Sequence, residues 1–207
     1  MNAINRKDGV LSKLLNYRFS EGELSGVHVG NLIVAALSRI QGSYLEGIHA
    51  LNVLLNLPAR ILPVSNHSTQ ICAQLEDGTR LVGERQIIKR EKAKVPVQSY
   101  FLQDQVPAVA EGITAIKEAD MIIICPGVIG TGIVSTLLFE GMREALCNSA
   151  AKLVYFCNVM TYPSQSDKFN VSDHLALLEQ YTGRPIDYVV VNSRTPNQEI
   201  LQHYRTR

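Results

Sequence analysis

Residues 119–142 read ADMIIICPGVIGTGIVSTLLFEGM. The run from Met121 to Cys125 is apolar and does not alternate. It stops at Pro126-Gly127, passes glycines at 127, 130 and 132, and resumes with helical spacing. A short apolar run without alternation reads as a strand buried on both faces, as in a parallel sheet. The helix expected over TGIVSTLLFEGMREALCN then leads to the next strand. The glycines leave two readings open. They let backbone approach a ligand, and the N–H groups of a helix start suit a phosphate, with Thr131 as cap and hydroxyl. Equally, they make a tight strand-to-helix turn. The spacing is not G-x-G-x-x-G, and the lysine of a Walker A loop is absent.

Working outward, the rhythm after Pro107 is helix, strand, helix, strand. PAVAEGITAIKEA predicts a helix with proline near its first turn. AKLVYFCNVM is a strand, and SDHLALLEQYTG a helix capped by Ser172 and closed by Gly183. IDYVVVN is a strand and NQEILQHY a final helix. This alternation predicts an α/β, Rossmann-like, doubly wound and mostly parallel sheet.

Upstream, QICAQLEDGTRLVGERQI alternates around Asp77-Gly78, the signature of a two-residue hairpin turn. It predicts a small antiparallel region, with ARILPVS and VQSYFLQ as further strand-like pieces. Earlier still, LSKLLNYRF has helical spacing, and GNLIVAALSRI reads as a buried helix. YLEGIHALNVLLNL follows, with Ser43 as cap and Pro58 as stop. No linker or repeat interrupts the chain, so residues 1–207 are expected to form one domain.

Composition narrows the function classes. Of 207 residues 46% are hydrophobic and 19% charged, and the formal charge is +1. That balance implies no bulk attraction to nucleic acid or to anionic membrane. The one basic run, Lys89, Arg90, Lys92 and Lys94, reads as a solvated edge or loop. Four scattered cysteines without a C-x-x-C pair, three of them in apolar surroundings, argue for free thiols and against a zinc site. The opening MNAINRKDGV lacks the apolar core of a signal peptide, and no apolar run reaches the ~18 residues of a membrane span. A cytoplasmic location is expected.

In doubly wound sheets ligands bind beyond the carboxyl ends of the strands. Those ends carry Pro126, Gly127, Gly130 and Thr131; Asn158, Met160 and Thr161; and Asn192-Ser193-Arg194. The polar loop after Cys157 is long enough to be functional, and Asp173 and His174 open the helix that follows it. These two could bind or could serve only as cap and packing. A further glycine-bracketed loop, ELSGVHVGNL, offers Gly26, His28, Gly30 and Asn31. No nucleophile elbow and no paired carboxylates are apparent, so no catalytic residue is assigned.

Taken together, NYRFSEGELSG, GNLIVAAL, LPVSNHS, LEDGTRLVGERQI, EADMIIICPG, CNVMTYPSQSDKF and SDHL resemble the bacterial gluconeogenesis-factor family, which is similar to the CofD-like 2-phospho-lactate transferases. The resemblance implies a Rossmann-like fold that binds a nucleotide-type ligand. One branch looks like a non-enzymatic sensor of nucleotide sugars such as UDP-N-acetylglucosamine (UDP-GlcNAc), tied to carbon metabolism and cell shape. The other moves a phospho-lactyl group from a nucleotide diphosphate carrier to a flavin-like acceptor and would use Mg2+. A third reading is self-association, as a homodimer, through an exposed sheet edge. Carried over by position, Gly26, Gly30 and Asn31 match the first loop. Pro126, Gly127 and Thr131 match the second. Asn158, Met160, Thr161, Pro163, Asp167, Ser172, Asp173 and His174 match the third. The resemblance places phosphate on the amides around 127–132, with Asn158 orienting the ligand. Departures are His28 standing one place after the family's histidine, Val128, Gly130 and Gly132 in place of Ser, Tyr and Ser, and Gln165 in place of an acid. The family's opening G-G-G-T-G and D-x-G-G-S-T/S-G segments do not occur here, which leaves a fragment or a reduced relative as alternatives.

Overall fold

The computed structural model describes residues 9–90 and 95–194, together with 198, 200 and 202. Three helices come first: α1 (Val10–Asn16), α2 (Val29–Gln41) and α3 (Tyr44–Leu54). Between α1 and α2, Arg18 and His28 pair in a short antiparallel bridge. Gly30 lies where a Cβ would stand 2.9 Å from the Leu15 carbonyl oxygen, so glycine sets the approach of α2 to α1. Ser43 caps α3 as expected, accepting from the Glu46 N–H. The helix ends at Leu54, before Pro58, and Asn56 takes a positive φ of 45°. α2 corrects the sequence reading: none of its residues is buried, although it carries the apolar stripe of a packed helix. Leu15, Leu51 and Leu55 make the small core of this helical unit.

A three-stranded antiparallel sheet follows, in the order β2 (Arg80–Val82), β1 (Ile71–Leu75), β3 (Val97–Leu102). The Asp-Gly hairpin is present, but its loop has three residues rather than two. The Leu75 N–H donates to the Thr79 carbonyl, and Gly78 alone takes a positive φ, of 86°. Asp77 accepts from the Thr79 N–H instead of entering the left-handed region. The second arm is shorter than its alternation suggests. Gly83, at φ 88°, ends it, and Glu84–Lys89 coil into α4. ARILPVS forms no strand. Lys89 closes α4, and Arg90 is half-buried and donates to the carbonyls of Val95 and Ser164. Lys92 and Lys94 lie outside the described residues.

The chain then builds the expected α/β half. Helix α5 (Ala110–Glu118) starts at Val109; Pro107 precedes it and bridges to Glu140. Strands β4 (Met121–Ile124), β5 (Lys152–Phe156) and β6 (Tyr188–Val190) form a parallel sheet in that order. The helix expected over 131–148 is broken. Residues Ile129–Val134 form a π-helical turn in which the Ile133 N–H reaches the Val128 carbonyl. α6 (Ser135–Leu137) continues it. Gly141, at φ 86°, interrupts it, and α7 (Met142–Asn148) resumes. Val128, not Thr131, is the residue before the first turn.

Helix α8 (Val171–Thr182) is capped by Asn170, two residues before Ser172. The Asn170 side chain accepts from the Asp173 N–H, and the Asp173 carboxylate accepts from the Asn170 N–H. Gly183 closes it at φ 73°, as the sequence implies. Of the last predicted helix, Gln198, Ile200 and Gln202 are helical, and the rest lies outside the described residues.

One core joins the two sheets. Ile71, Ala73 and Tyr100 of the antiparallel sheet meet Ile129, Ile133 and Val134 of the π-turn, Tyr155 of β5, Cys157 just after it, and Leu178 of α8. β4 is not buried on both faces. Side chains alternate across a strand. The register therefore places Ile122, Ile124, Leu153, Tyr155 and Val189 on the core side, with Met121, Ile123, Lys152, Val154, Phe156, Tyr188 and Val190 opposite, where Val154 at the centre is buried. Met121 is 55% exposed and Ile123 50%. Two cysteines rather than three are buried, Cys72 and Cys157, and all four are free. Among the described residues no helix is long and apolar enough to cross a membrane.

Asp187 pins the amino end of this sheet. Its carboxylate accepts from the Leu153 N–H at 2.9 Å, from Lys152 Nζ at 3.1 Å and from Arg184 at 2.8 Å. The Leu153 N–H first, and Lys152 next, hold its carboxyl below the usual value of 3.8. A depressed pKa contributes stability that is present above 3.8 and lost as pH falls through the lower folded value. Asp187→Asn should therefore flatten the acid limb of a thermal-denaturation profile between pH 5 and pH 2, roughly the window of such a carboxylate. An unchanged acid limb would show that this cluster carries no folding energy.

Candidate functional site

The loops after β4 and β5 are tied by one side chain. Asn158, beyond the end of β5, donates its amide to the Gly127 carbonyl at 2.6 Å and accepts the Gly127 N–H at 3.1 Å. A carboxamide offers a donor and an acceptor side by side, which here meet the C=O and N–H of one residue. Asn158 thus fixes the spacing of the two strand-end loops.

A second carboxamide lies deeper. The Oε1 atom of Gln165 accepts the N–H groups of Gly130 at 3.1 Å and Thr131 at 2.9 Å, while Nε2 donates to the Thr131 hydroxyl at 3.1 Å. Gln165 and Thr131 are both buried. The amides of Gly130 and Thr131, two of those that the sequence offers to a phosphate, are therefore occupied from within the chain. An anion placed there would have to displace Gln165. Tyr100 closes the pocket from the other side: a Cβ on Gly130 would lie 2.3 Å from its ring carbon and hydroxyl. The Tyr100 hydroxyl is buried without a partner, and burial pushes its pKa up to about 12.

At the carboxyl ends of β5 and β6 a recess of about 240 Å3 opens between the two strand-end loops and the start of α8. Val159, Met160 and Val171 give it an apolar lining, and Asn158, Asn192 and Arg194 its polar one. Val159 and Met160 are exposed on the rim that Arg194 shares. The Asn192 side chain accepts from the Arg194 N–H at 3.0 Å and so sets the turn that carries the arginine. This arrangement can receive a flat apolar ring beside an anion.

The remaining sequence candidates distribute differently. Thr161 is exposed next to Met160, and Pro126 lines an apolar cavity on the core side of β4. Asp173 is engaged in the cap of α8. His174 is 3% exposed; its Nδ1 lies 2.9 Å from the Asn170 carbonyl, to which it can donate, and its Nε2 is buried without a partner. Its ring stacks on Tyr155 and meets the edge of Phe169. The Tyr155 hydroxyl also lacks a partner, and burial pushes its pKa up to about 12. The first loop stays apart from these groups in its bonding. Gly26 takes φ 84°, Arg18 donates to the Gly26 carbonyl and touches the His28 ring, and the Asn31 N–H donates to the His28 carbonyl. These bonds tie residues 26–31 to the end of α1, whereas 127–132 and 158–165 are tied to each other.

The family model for 2-phospho-L-lactate transferase CofD matches residues 1–207. The chain belongs to the CofD family. It is 40% identical over 203 residues to the "Putative gluconeogenesis factor" of Thermotoga maritima, covering 98% of this chain and 64% of that protein. It is 34% identical over 204 residues to the "Gluconeogenesis factor" of Bacillus subtilis, with the same two coverages. The crystal structure of a UPF0052-family protein from Bacillus halodurans superposes with a TM-score of 0.92 at 33% identity. That match covers 99% of this chain and 66% of the other. The CofD-family chain described here therefore spans somewhat less than two thirds of the curated relatives it matches.

Of two residues central to the geometry, one is absent from the sequence-derived candidates and the other is offered only by its place at a strand end. Gln165 stands out only as a departure from the family's acid, and a buried carboxamide gives no periodic signal. Arg194 follows a strand end, and that position was its one available clue.

Proposed function

We propose that this CofD-family protein is a nucleotide-sugar-binding regulator of the gluconeogenesis-factor type. In this reading the recess at the ends of β5 and β6 takes part of the nucleotide diphosphate. The observation that supports it is Arg194 standing beside exposed Val159 and Met160 at the carboxyl end of a parallel sheet. The guanidinium supplies charge and bidentate hydrogen bonds for a phosphate, and the apolar wall supplies contact for a base. At about 240 Å3 the recess is smaller than a pocket for a whole drug-sized ligand, so the sugar lies outside it. The names of the relatives supply the metabolic setting, and UDP-GlcNAc is the ligand class that the family resemblance implies.

Calorimetric titration with UDP-GlcNAc, UDP-glucose and UDP tests the reading. Binding is expected, and Arg194→Ala should weaken it by about 2 kcal/mol, roughly thirty-fold, as for loss of a charged hydrogen-bonding partner. No heat with any uridine diphosphate, or an unchanged Kd in the variant, would overturn it.

The transferase reading has the family model's own description in its favour. It would require Mg2+ at the diphosphate. Such an ion is held by one or two carboxylates together with the substrate's own phosphates. Product formation from a lactyl-diphosphate nucleotide and a deazaflavin would place this reading first.

A further inference from the structure

A cavity of about 160 Å3 lies between the antiparallel sheet, the loop after β5 and α8. Arg90, at the end of α4, and Tyr100, on β3, line it together. Each brings a buried donor that no described group accepts: Arg90 Nε and the Tyr100 hydroxyl. Buried polar groups are nearly always paired, so two orphans on one cavity ask for a partner. The other nitrogens of Arg90 are engaged by the carbonyls of Val95 and Ser164, which hold the guanidinium in place. The Tyr100 ring is buried and rests against Gly130. Its hydroxyl keeps its proton at neutral pH: burial pushes the pKa up to about 12, and the Arg90 charge acts in the opposite direction, so the two groups sense one another. The rest of the wall is of two kinds. Val97, Phe169 and Leu177 are apolar, and Asp167 is exposed. Ser164, whose carbonyl takes Arg90, stands at φ 73°, a strained position for a residue other than glycine. Such strain collects at sites that hold a ligand.

We infer that this cavity binds a short monocarboxylate, its carboxylate held by Arg90 Nε and the Tyr100 hydroxyl and its hydrocarbon end laid on Val97, Phe169 and Leu177. A carboxylate only accepts, and its two oxygens give both orphan donors a partner. A cavity of this volume takes about five water-sized groups, roughly the bulk of a three- or four-carbon acid. Inorganic phosphate fits less well, because it leaves the apolar wall without contact and sets more charge against Asp167. The site is separate from the recess at Arg194 and independent of the nucleotide reading. It meets the strand-end loops through Gln165, which lines this cavity and accepts the amides of Gly130 and Thr131. A bound acid therefore braces the loop that holds the π-turn.

The test melts the full 207-residue chain with acetate, propionate, butyrate, hexanoate or phosphate, each against chloride at matched ionic strength. Propionate and butyrate should raise Tm saturably. Acetate and phosphate should do less, and hexanoate, too long for the cavity, nothing. Backbone NMR with propionate should move the amides of residues 97–100 and 164–169 and leave 192–194 in place. Tyr100→Phe keeps the ring and removes one donor. It should weaken propionate about ten-fold, the usual loss for a hydrogen bond to a charged group. That hydroxyl has no partner within the described chain, so the unliganded variant should melt no lower than the parent. No saturable response to the short acids, shifts centred elsewhere, an affinity unchanged by Tyr100→Phe, or phosphate binding at least as tightly as propionate would each overturn the inference.

Discussion

Gln165→Ala is expected to cost about 4 kcal/mol, because it strands the buried N–H groups of Gly130 and Thr131 at roughly 1–3 kcal/mol each and empties the space of the carboxamide. For a chain of this size that corresponds to a fall of about 12 °C in Tm. Nothing else reaches those two amides: the π-turn begins there, and the start of a helical segment has no intrahelical acceptor for its first N–H groups. Thr131 Oγ1 also loses its donor. Gln165→Glu separates the hydrogen-bonding role from the packing role. A carboxylate accepts both N–H groups, and the Thr131 hydroxyl can turn to donate. Glutamate should therefore retain most of the stability near neutral pH. Two N–H donors lower a carboxyl pKa, so that contribution is present above the unfolded value and lost as pH falls. Urea titrations at neutral pH and near pH 4, about the value of a free glutamate, read both effects. A wild-type midpoint for Gln165→Ala would show that water replaces the carboxamide and that the loop is more open than it stands here.

This carboxamide also marks where sequence reasoning stopped. The run at 121–125, the Ser43 cap and the Gly183 stop are local signals, and each formed where its residues pointed, as did the Asp-Gly turn, though its second arm ends at Val82. The CofD-family membership was legible for the same reason, since CNVMT, SDH and their neighbours are contiguous strings. Tertiary facts were not legible. An apolar non-alternating strand says that both faces prefer burial. It does not say whether a second layer is present to bury them, and β4 shows one face without it. The helix over 131–148 looked continuous because Gly132 and Gly141 are single interruptions within good periodicity. The π-turn packs against Tyr100 and bonds to Gln165, the one about thirty residues upstream and the other 35 residues downstream of Gly130. The three loops suggested one site by resemblance. Their hydrogen bonds join two of them and leave the loop at 26–31 with α1.

Gly130→Ala is the second large effect, and its cause is space rather than backbone strain. Gly130 is absent from the positive-φ glycines, so alanine can adopt its conformation. Its Cβ would nonetheless lie 2.3 Å from Tyr100 and 2.7 Å from Gln165 Oε1. Neither neighbour can yield easily. The Tyr100 ring is buried among Ile71, Ala73 and Ile129, and its own N–H donates to the Tyr181 hydroxyl at 2.6 Å. Gln165 is held by three hydrogen bonds. Overpacking of a close-packed core by one methyl with no room to relax is expected to cost about 3 kcal/mol. The Tyr100 hydroxyl has no partner, so removing it forfeits no hydrogen bond. Tyr100→Leu should therefore carry mainly a packing cost while clearing the space that alanine needs. In a double-mutant cycle Gly130→Ala and Tyr100→Leu should couple favourably by at least about 1 kcal/mol, the double variant being more stable than the sum of the singles implies. Strict additivity would mean that the π-turn, not the tyrosine, absorbs the methyl. That turn would then be the softer partner, and it carries the glycine loop between Asn158 and Gln165.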